Sequence, residues 1–397
     1  MRGNPSTSRA LNRRLILNLL RHRGALSRAE IATITGLSPA AVTMVVTELM
    51  GETLLIECGV QPGVQTGATG RRPVPIDINY AAHLAVGFKL RHDSIDCVLT
   101  DLATTPLTSF SMPVVDTQPE TMVDAIDKAI PALLKAAGRK GEPIMGVGVS
   151  IPGEIDAIKG ICLQSPRFGW TNLPFPEILR ARIHVPVWID DDIAAFTVAQ
   201  RLFGAGRQHR DFIALAVGTG IGASLVIGGE IYHGSHGVAG KLGHVVTEKN
   251  GRLCECGRRG CLQAHAAEPA MIEQWAAKAG APTGIRPSDL RDAFLAAVEA
   301  GDAVALGIVE EAGLRIGRHL ADFVNLFDPE VIIAGGESMH YAEALLAPIR
   351  RGMSDYLFFT RPDILPDWIA GSWARGAAAL ATQHLFNFER TEPSSNK

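Results

Sequence analysis

Between Gly237 and Gln263 the chain reads G-V-A-G-K-L-G-H from Gly237 to His244, then C-E-C-G-R-R-G-C from Cys254 to Cys261. His244, Cys254, Cys256 and Cys261 offer one imidazole and three thiols, the complement of a closed tetrahedral zinc site. Gly257 and Gly260 let a short loop turn back, so that the last thiol can meet the first two. The plain alternative is three reduced cysteines in a polar loop. Clustered Cys beside a His has few other physical uses in a cytosolic chain, which favours the metal. Four protein ligands leave no position for a reactive water, so the expected Zn2+ is structural.

A second set of groups that could do chemistry is acidic. Trp188-Ile189-Asp190-Asp191-Asp192 ends an apolar run and precedes a helical pattern, a place where carboxylates line a pocket more often than a solvated loop. A carboxylate can accept two hydrogen bonds from vicinal hydroxyls, which suits a sugar. Gly218-Thr219-Gly220-Ile221-Gly222 follows a strand and could hug phosphate, although a Gly-rich turn between antiparallel strands reads the same way.

These motifs together resemble the ROK group of repressors, open reading frames and sugar kinases, and the resemblance runs over nearly the whole chain. It implies two ribonuclease-H-like lobes of the actin and hexokinase type closing on a cleft. It also implies that Asp192 stands at the kinases' catalytic base and Asp191 at an Asn that binds hydroxyls. His244 would hold the metal with one ring nitrogen and meet a sugar with the other. The departures are as informative. The kinases' Asp-x-Gly-Gly-Thr is here Lys89-Leu90-Arg91-His92-Asp93, so Lys89 stands for the Asp and side chains replace the glycines. Lys241 replaces the Glu of Glu-x-Gly-His, and Gln263 the Glu of Gly-Cys-Leu-Glu. Asp328–Gly336 keeps the segment that lies near adenosine in the kinases. Either Lys241 pairs with Asp191 or Asp192 and the cleft is structural, or the effector is anionic, a sugar acid or sugar phosphate.

The elements that must position these groups follow from pattern. Strand patterns at 83–90, 94–101, 144–151, 185–190 and 212–227 alternate with helical ones at 121–137, 194–202, 288–300 and 303–326, which predicts an α/β body. A final helix over 375–388 is expected to pack on the first lobe. The 397 residues, 47% hydrophobic and 20% charged, leave ample material for large cores. No apolar run is long enough to span a bilayer and no signal peptide opens the chain, so a cytoplasmic protein without membrane contact is expected. Cys58, Cys97 and Cys162 are scattered singly, as in a reducing compartment.

The net charge of −3 is unevenly spread: residues 1–75 carry nine Arg and four Glu, leaving +5, and the remainder carries −8. A basic head on an acidic body suggests a polyanion partner. Leu11, Leu15, Ile16, Leu19 and Leu20 recur at helical spacing over 8–23, with arginines on the outer face. Ser27 and Glu30 form a capping box for a second helix, stopped by Gly36. Ser38-Pro39 opens a third. Its inward stripe is Val42, Val45, Val46 and Leu49, which leaves Ser38, Ala40, Ala41, Thr43, Met44 and Thr47 to face base edges and phosphates of duplex DNA. Patterns at 54–58 and 74–78 read as two strands around a Gly-rich wing that ends in Arg71-Arg72, able to contact phosphate or a minor groove. A three-helix packing module with no nucleic-acid partner is the alternative.

The expected whole is a winged helix-turn-helix over 1–79, a first lobe over 80–191 with the helix at 375–389, and a second lobe over 192–374 with the zinc loop 237–263. It reads as a transcriptional regulator, a repressor of carbohydrate genes acting as a homodimer or dimer of dimers, with no catalytic residue. Its effector would lie between the lobes against Asp191, Asp192, Lys241, His244 and Gln263. A working sugar kinase with a DNA-binding head, and an effector-independent DNA-binding protein with a vestigial cleft, are the rival readings.

Overall fold

A computed structural model describes residues 5–59, 74–279, 286–359, 361–369 and 371–386. Arg71 and Arg72 therefore lie outside the described residues.

The chain opens with three helices, α1 (Pro5–Arg23), α2 (Arg28–Thr35) and α3 (Pro39–Gly51), then the antiparallel strands β1 (Leu55–Glu57) and β2 (Ile76–Ile78). Local chemistry sets their ends. Ser27 and Glu30 exchange hydrogen bonds at the start of α2, and Gly36 closes it with φ 71°. Ser38 accepts from Ala41 N at 3.2 Å, with Pro39 in the first turn of α3. The stripe Val42, Val45, Val46 and Leu49 is buried on Ile31 and α1. Within α1 the buried apolar residues are Ile16, Leu17 and Leu20, whereas Leu11 is 42% exposed, so the apolar face is rotated from the one expected.

Two five-stranded sheets follow. The first has the order β10-β6-β3-β4-β5, built from β3 (Leu84–Leu90), β4 (Ser94–Thr100), β5 (Pro106–Pro113), β6 (Ile144–Ser150) and β10 (Val187–Asp190). Between these strands run α4 (Pro119–Ala136), the small sheet of β7 (Glu154–Asp156), β8 (Ile161–Ser165) and β9 (Trp170–Leu173), and α5 (Phe175–Ile183). The helix α6 (Asp192–Phe203) leads to the second sheet, order β13-β12-β11-β14-β15: β11 (Phe212–Val217), β12 (Ile221–Ile227), β13 (Glu230–Tyr232), β14 (Val331–Gly335) and β15 (Asp363–Pro366). The segment 212–227 is thus a hairpin rather than one strand, broken where Gly218 N bonds Gly220 O at 2.9 Å. Helices α7 (Leu262–Ala266), α8 (Glu268–Ala279), α9 (Pro287–Glu299), α10 (Ala303–Phe327) and α11 (Glu343–Ser354) cover one face of the second sheet with a large core.

The last helix, α12 (Ser372–Thr382), returns to the first sheet. It approaches so closely that a Cβ at Gly87 or Gly148 would overlap the α12 backbone. Leu380 and Ala379 of α12, Ala195, Val198, Ala199 and Leu202 of α6, and the apolar residues of α1 to α3 form one cluster, so the N-terminal unit shares a core with the body. Among the described residues no single helix is long and apolar enough to cross a membrane.

Candidate functional site: a metal cluster beside a cleft closed by ion pairs

The four metal-ligand candidates converge. One ligand atom from each of His244, Cys254, Cys256 and Cys261 lies within 4.8 Å of every other. Cys254 Sγ is 3.7 Å from His244 Nδ1, and Cys256 Sγ is 3.7 Å from Cys261 Sγ. Zinc–sulfur bonds of about 2.3 Å at tetrahedral angles put the ligands roughly 3.8 Å apart, so the donor set fits. Gly260, with φ 81°, sits so close to Glu248 O that any side chain would clash there. That approach turns the loop back and delivers Cys261 to the others.

The cleft beside this cluster is bridged by charge. Asp191 caps α6 by accepting from Ala194 N at 2.8 Å, and its other oxygen accepts from Lys241 Nζ at 2.8 Å. Lys241 also donates to Gly153 O in the first lobe at 3.3 Å. Burial alone would raise the Asp191 pKa, but the Lys241 charge and these hydrogen bonds hold it below the ordinary carboxylate value. Asp190, buried and next to the Asp191 charge, is pushed well above its ordinary value. Asp192, at the start of α6, pairs with Lys89 of β3. Lys241 thus makes the aspartate pair that one of its two expected roles requires.

Gln263 does not face Asp191. It is 9% exposed and donates to Glu255 Oε1 at 2.8 Å, and Glu255 in turn pairs with Arg167 of the first lobe at 3.1 Å. His244 sits with the thiols, its pKa lowered by burial and by Arg258. Space at the aspartates is small. The cavity lined by Asp190, Asp191, Ile193, Ser224, His233 and Gly237 holds ≈ 10 Å³, room for one water. A hollow of ≈ 480 Å³ lies at the outer edge of β10, against Arg180, His184 and Trp188, away from the cleft.

The phosphate-loop region carries a feature that the sequence motifs did not expose. Arg91, in the hairpin between β3 and β4, donates to Glu337 Oε1 at 3.0 Å and to Asp96 Oδ2 at 2.7 Å. Glu337 lies directly on Gly218, where a Cβ would overlap its carboxylate. Burial alone would raise the Glu337 pKa, but Arg91 holds it below the ordinary value, so it is an anion. A phosphate oxygen approaching Gly218 would meet this carboxylate sterically, since even a Cβ there overlaps it, while Arg91 offsets its charge. The available signal was compensation: a cation in the altered first hairpin calls for an acid, and Glu337 directly follows Gly335-Gly336.

In the N-terminal unit, Ser38, Ala40, Thr43, Met44 and Thr47 are exposed along one face of α3, with Ala41 half-buried. The arginines are not all free. Arg9 and Arg13 pair with Glu48, Arg13 also with Glu52 at 2.5 Å, and Arg28 with Glu57 at 3.3 Å. Arg21 is buried against the body rather than on the outer face.

Residues 86–384 match the ROK family over about three quarters of the chain. The chain belongs to the ROK family. Curated ROK relatives include the "Xylose repressor" of Bacillus spizizenii, 27% identical over 95% of this chain and 96% of that one. Another is the "DNA-binding transcriptional dual regulator NagC" of Escherichia coli, 29% identical over 97% of this chain and 95% of its own length. Among solved structures, a ROK family transcriptional regulator described as a homolog of the E. coli MLC protein superposes with a TM-score of 0.81, at 24% identity, covering 96% of this chain and 97% of that one. That likeness establishes a common mixed α/β fold from end to end. A ROK family glucokinase from Streptomyces griseus, solved with glucose and AMPPNP, superposes with a TM-score of 0.66 at 28% identity, covering 76% of this chain and 99% of its own.

Proposed function

We propose that this chain is a sugar-responsive, DNA-binding transcriptional repressor of carbohydrate genes, whose body keeps a sugar kinase's architecture without its phosphoryl transfer. The observation that carries the proposal is the exposed face of α3. Ala40, Thr43, Met44 and Thr47 leave small and hydroxyl-bearing side chains open on a helix whose other face is fully packed. Such a face suits major-groove approach, with Ser38 and Ala41 at the helix start; Arg71 and Arg72, outside the described residues, are the phosphate contacts proposed from their sequence. The unit is then a winged helix-turn-helix. The two curated relatives are named as a repressor and a DNA-binding regulator.

The reading without kinase activity is supported by Lys89 and Arg91, which stand in the first hairpin paired with Asp192 and Glu337, and by Glu337, which lies against Gly218 of the second loop. The effector reading assigns Asp191, Asp192, Lys241, His244 and Gln263 to a sugar-facing cleft between the lobes, supported by the Lys241–Asp191 and Lys89–Asp192 pairs. The ≈ 10 Å³ at Asp191 cannot admit a sugar, so binding requires the lobes to part and Lys241 to share or surrender Asp191. Effector preference for the parted state would then shift the population of head arrangements able to read an operator. Two half-sites require two heads, hence a homodimer or a dimer of dimers. His244, Cys254, Cys256 and Cys261 would hold a structural Zn2+, fixing the loop that carries Lys241 and Gln263.

The test is a fluorescence-anisotropy titration of duplex DNA from the chain's own upstream region, repeated with neutral sugars, sugar acids and sugar phosphates. Binding weakened by one class is the expected result. Affinity unaltered by every sugar would leave the effector-independent alternative. Absence of binding to any upstream duplex would defeat the reading itself.

A further inference from the structure

The helix α6 is held at both ends by side chains from other parts of the molecule. At its N-terminus Asp191 and Asp192 answer to Lys241 and Lys89 in the cleft. A helix C-terminus leaves its last carbonyls without intrahelical donors. Here they are taken by the N-terminal unit: Arg21 Nη1 of α1 donates to Leu202 O at 2.7 Å and to Arg201 O at 3.4 Å. Asn18 Oδ1 steadies the same guanidinium, accepting from Nε at 3.3 Å and from Nη2 at 3.0 Å. The guanidinium carbon stands 5.6 Å from the centre of the Phe386 ring.

Arg21 is 7% exposed, and no carboxylate pairs with it among the described residues. Its counter-charge is the negative end of the α6 dipole, supplied by the carbonyls it touches. Burial lowers its pKa to about 10, so it remains charged near neutrality. Between its two ends α6 is buried on nearly every residue from Ile193 to Leu202. Its 12 residues make a rod about 18 Å long. Packed helices of this kind shift as units and do not bend continuously.

We infer that Arg21 is a positioning residue that ties the orientation of the DNA-reading head to the state of the cleft, with α6 as the rigid member between them. This deepens the effector reading above and rests on it. When Asp191 is drawn from Lys241, the first turn of α6 loses its tether to the loop that carries Lys241. The rod moves, the Arg201 and Leu202 carbonyls move with it, and α1 follows through the guanidinium. Leu17 and Leu20 of α1 share one apolar cluster with Leu202 of α6, which offers a competing route that does not need the arginine.

Hydrogen–deuterium exchange of the full chain, without DNA or sugar, separates the routes and does not depend on whether DNA is bound. Lys241→Met supplies the cleft perturbation. The last turn of α6 and residues 16–23 of α1 are followed in four proteins: wild type, Lys241→Met, Arg21→Gln and the double variant. The expected result is at least threefold faster exchange in both segments for Lys241→Met, with the α1 increment lost in the Arg21→Gln background. Arg21→Lys, which keeps a charged donor, should restore part of that increment and serves as background if Arg21→Gln fails to fold. An α1 increment that survives in full without the arginine would assign the coupling to apolar contact and overturn the inference. Acceleration confined to α6, or none in either segment, would overturn it as well. Loss of operator binding with the exchange pattern intact would count against the DNA reading and not against the coupling.

Discussion

Replacing Lys241 with Met should damage the protein more than replacing its partner Asp191 with Asn, because the two leave different groups stranded. Lys241 and Asp191 meet at 2.8 Å, with side chains 30% and 14% exposed. Removing one member of a buried pair costs about 3–5 kcal/mol, and the partial exposure of Lys241 reduces this to about 2–3 kcal/mol for Lys241→Met. Asp191→Asn keeps an oxygen for the Ala194 cap. The lysine it strands still reaches Gly153 O and solvent, so the loss should be about 1 kcal/mol. The pH dependence distinguishes them further. With Lys241 present, the Asp191 pKa lies below its unfolded value, so its contribution is present above about pH 3.9 and fades as pH falls through the folded value. Without Lys241, burial raises that pKa, and stability falls as pH rises from about 4 toward neutrality. Urea denaturation followed by tryptophan fluorescence at pH 4.5 and 7 should show the gap between wild type and Lys241→Met widening at the higher pH. A variant within about 0.5 kcal/mol of wild type at both values, or an Asp191→Asn that costs more, would refute this account of the cleft.

Further outcomes can be checked alongside. Asp190 has a raised pKa from burial and from Asp191, so its contribution is full below about pH 3.9 and is lost as pH climbs through the folded value; Asp190→Asn should therefore gain on wild type in melting temperature between pH 4 and 7. Chelation of zinc should lower the melting temperature, Cys261→Ser should abolish stoichiometric zinc in elemental analysis, and a metal-free preparation melting like the native one would contradict the Cys/His assignment. Replacing Arg71 and Arg72 with Ala should weaken DNA binding and reduce the slope of log affinity against log salt by about 0.9 for each phosphate no longer neutralised, as read by anisotropy in a salt series.

Much of the N-terminal unit was legible because its signals are local. Ser27 with Glu30, Gly36, and Ser38-Pro39 each act within one helical turn, and the structure uses all of them. The Cys/His cluster is legible for the same reason, its thiols lying in one short loop. What the sequence concealed is long-range. Arg91 and Glu337 are 246 residues apart, and Arg21 meets Leu202 across 181. No periodicity relates such residues; only the closed fold does. The arginine count likewise overstated the free charge, because Glu48, Glu52 and Glu57 neutralise Arg9, Arg13 and Arg28 within the same unit. Strands β5, β7 to β9 and β13 to β15 were not among those expected. The first is an edge strand with five of its eight residues exposed, and the others are only three to five residues long. Pro348 inside α11 masked that helix, since proline usually ends one.

The proposed regulator is a kinase-like body, with Glu337 against Gly218, that governs a duplex-reading head. DNase I footprinting of the chain's own upstream region, with neutral sugars, sugar acids and sugar phosphates in parallel lanes, is the deciding measurement. Two protected half-sites about one helical turn, or a multiple of it, apart are expected, with protection erased by at least one of the sugars. An unprotected region, at protein concentrations where the same preparation consumes ATP in the presence of a monosaccharide, would contradict it.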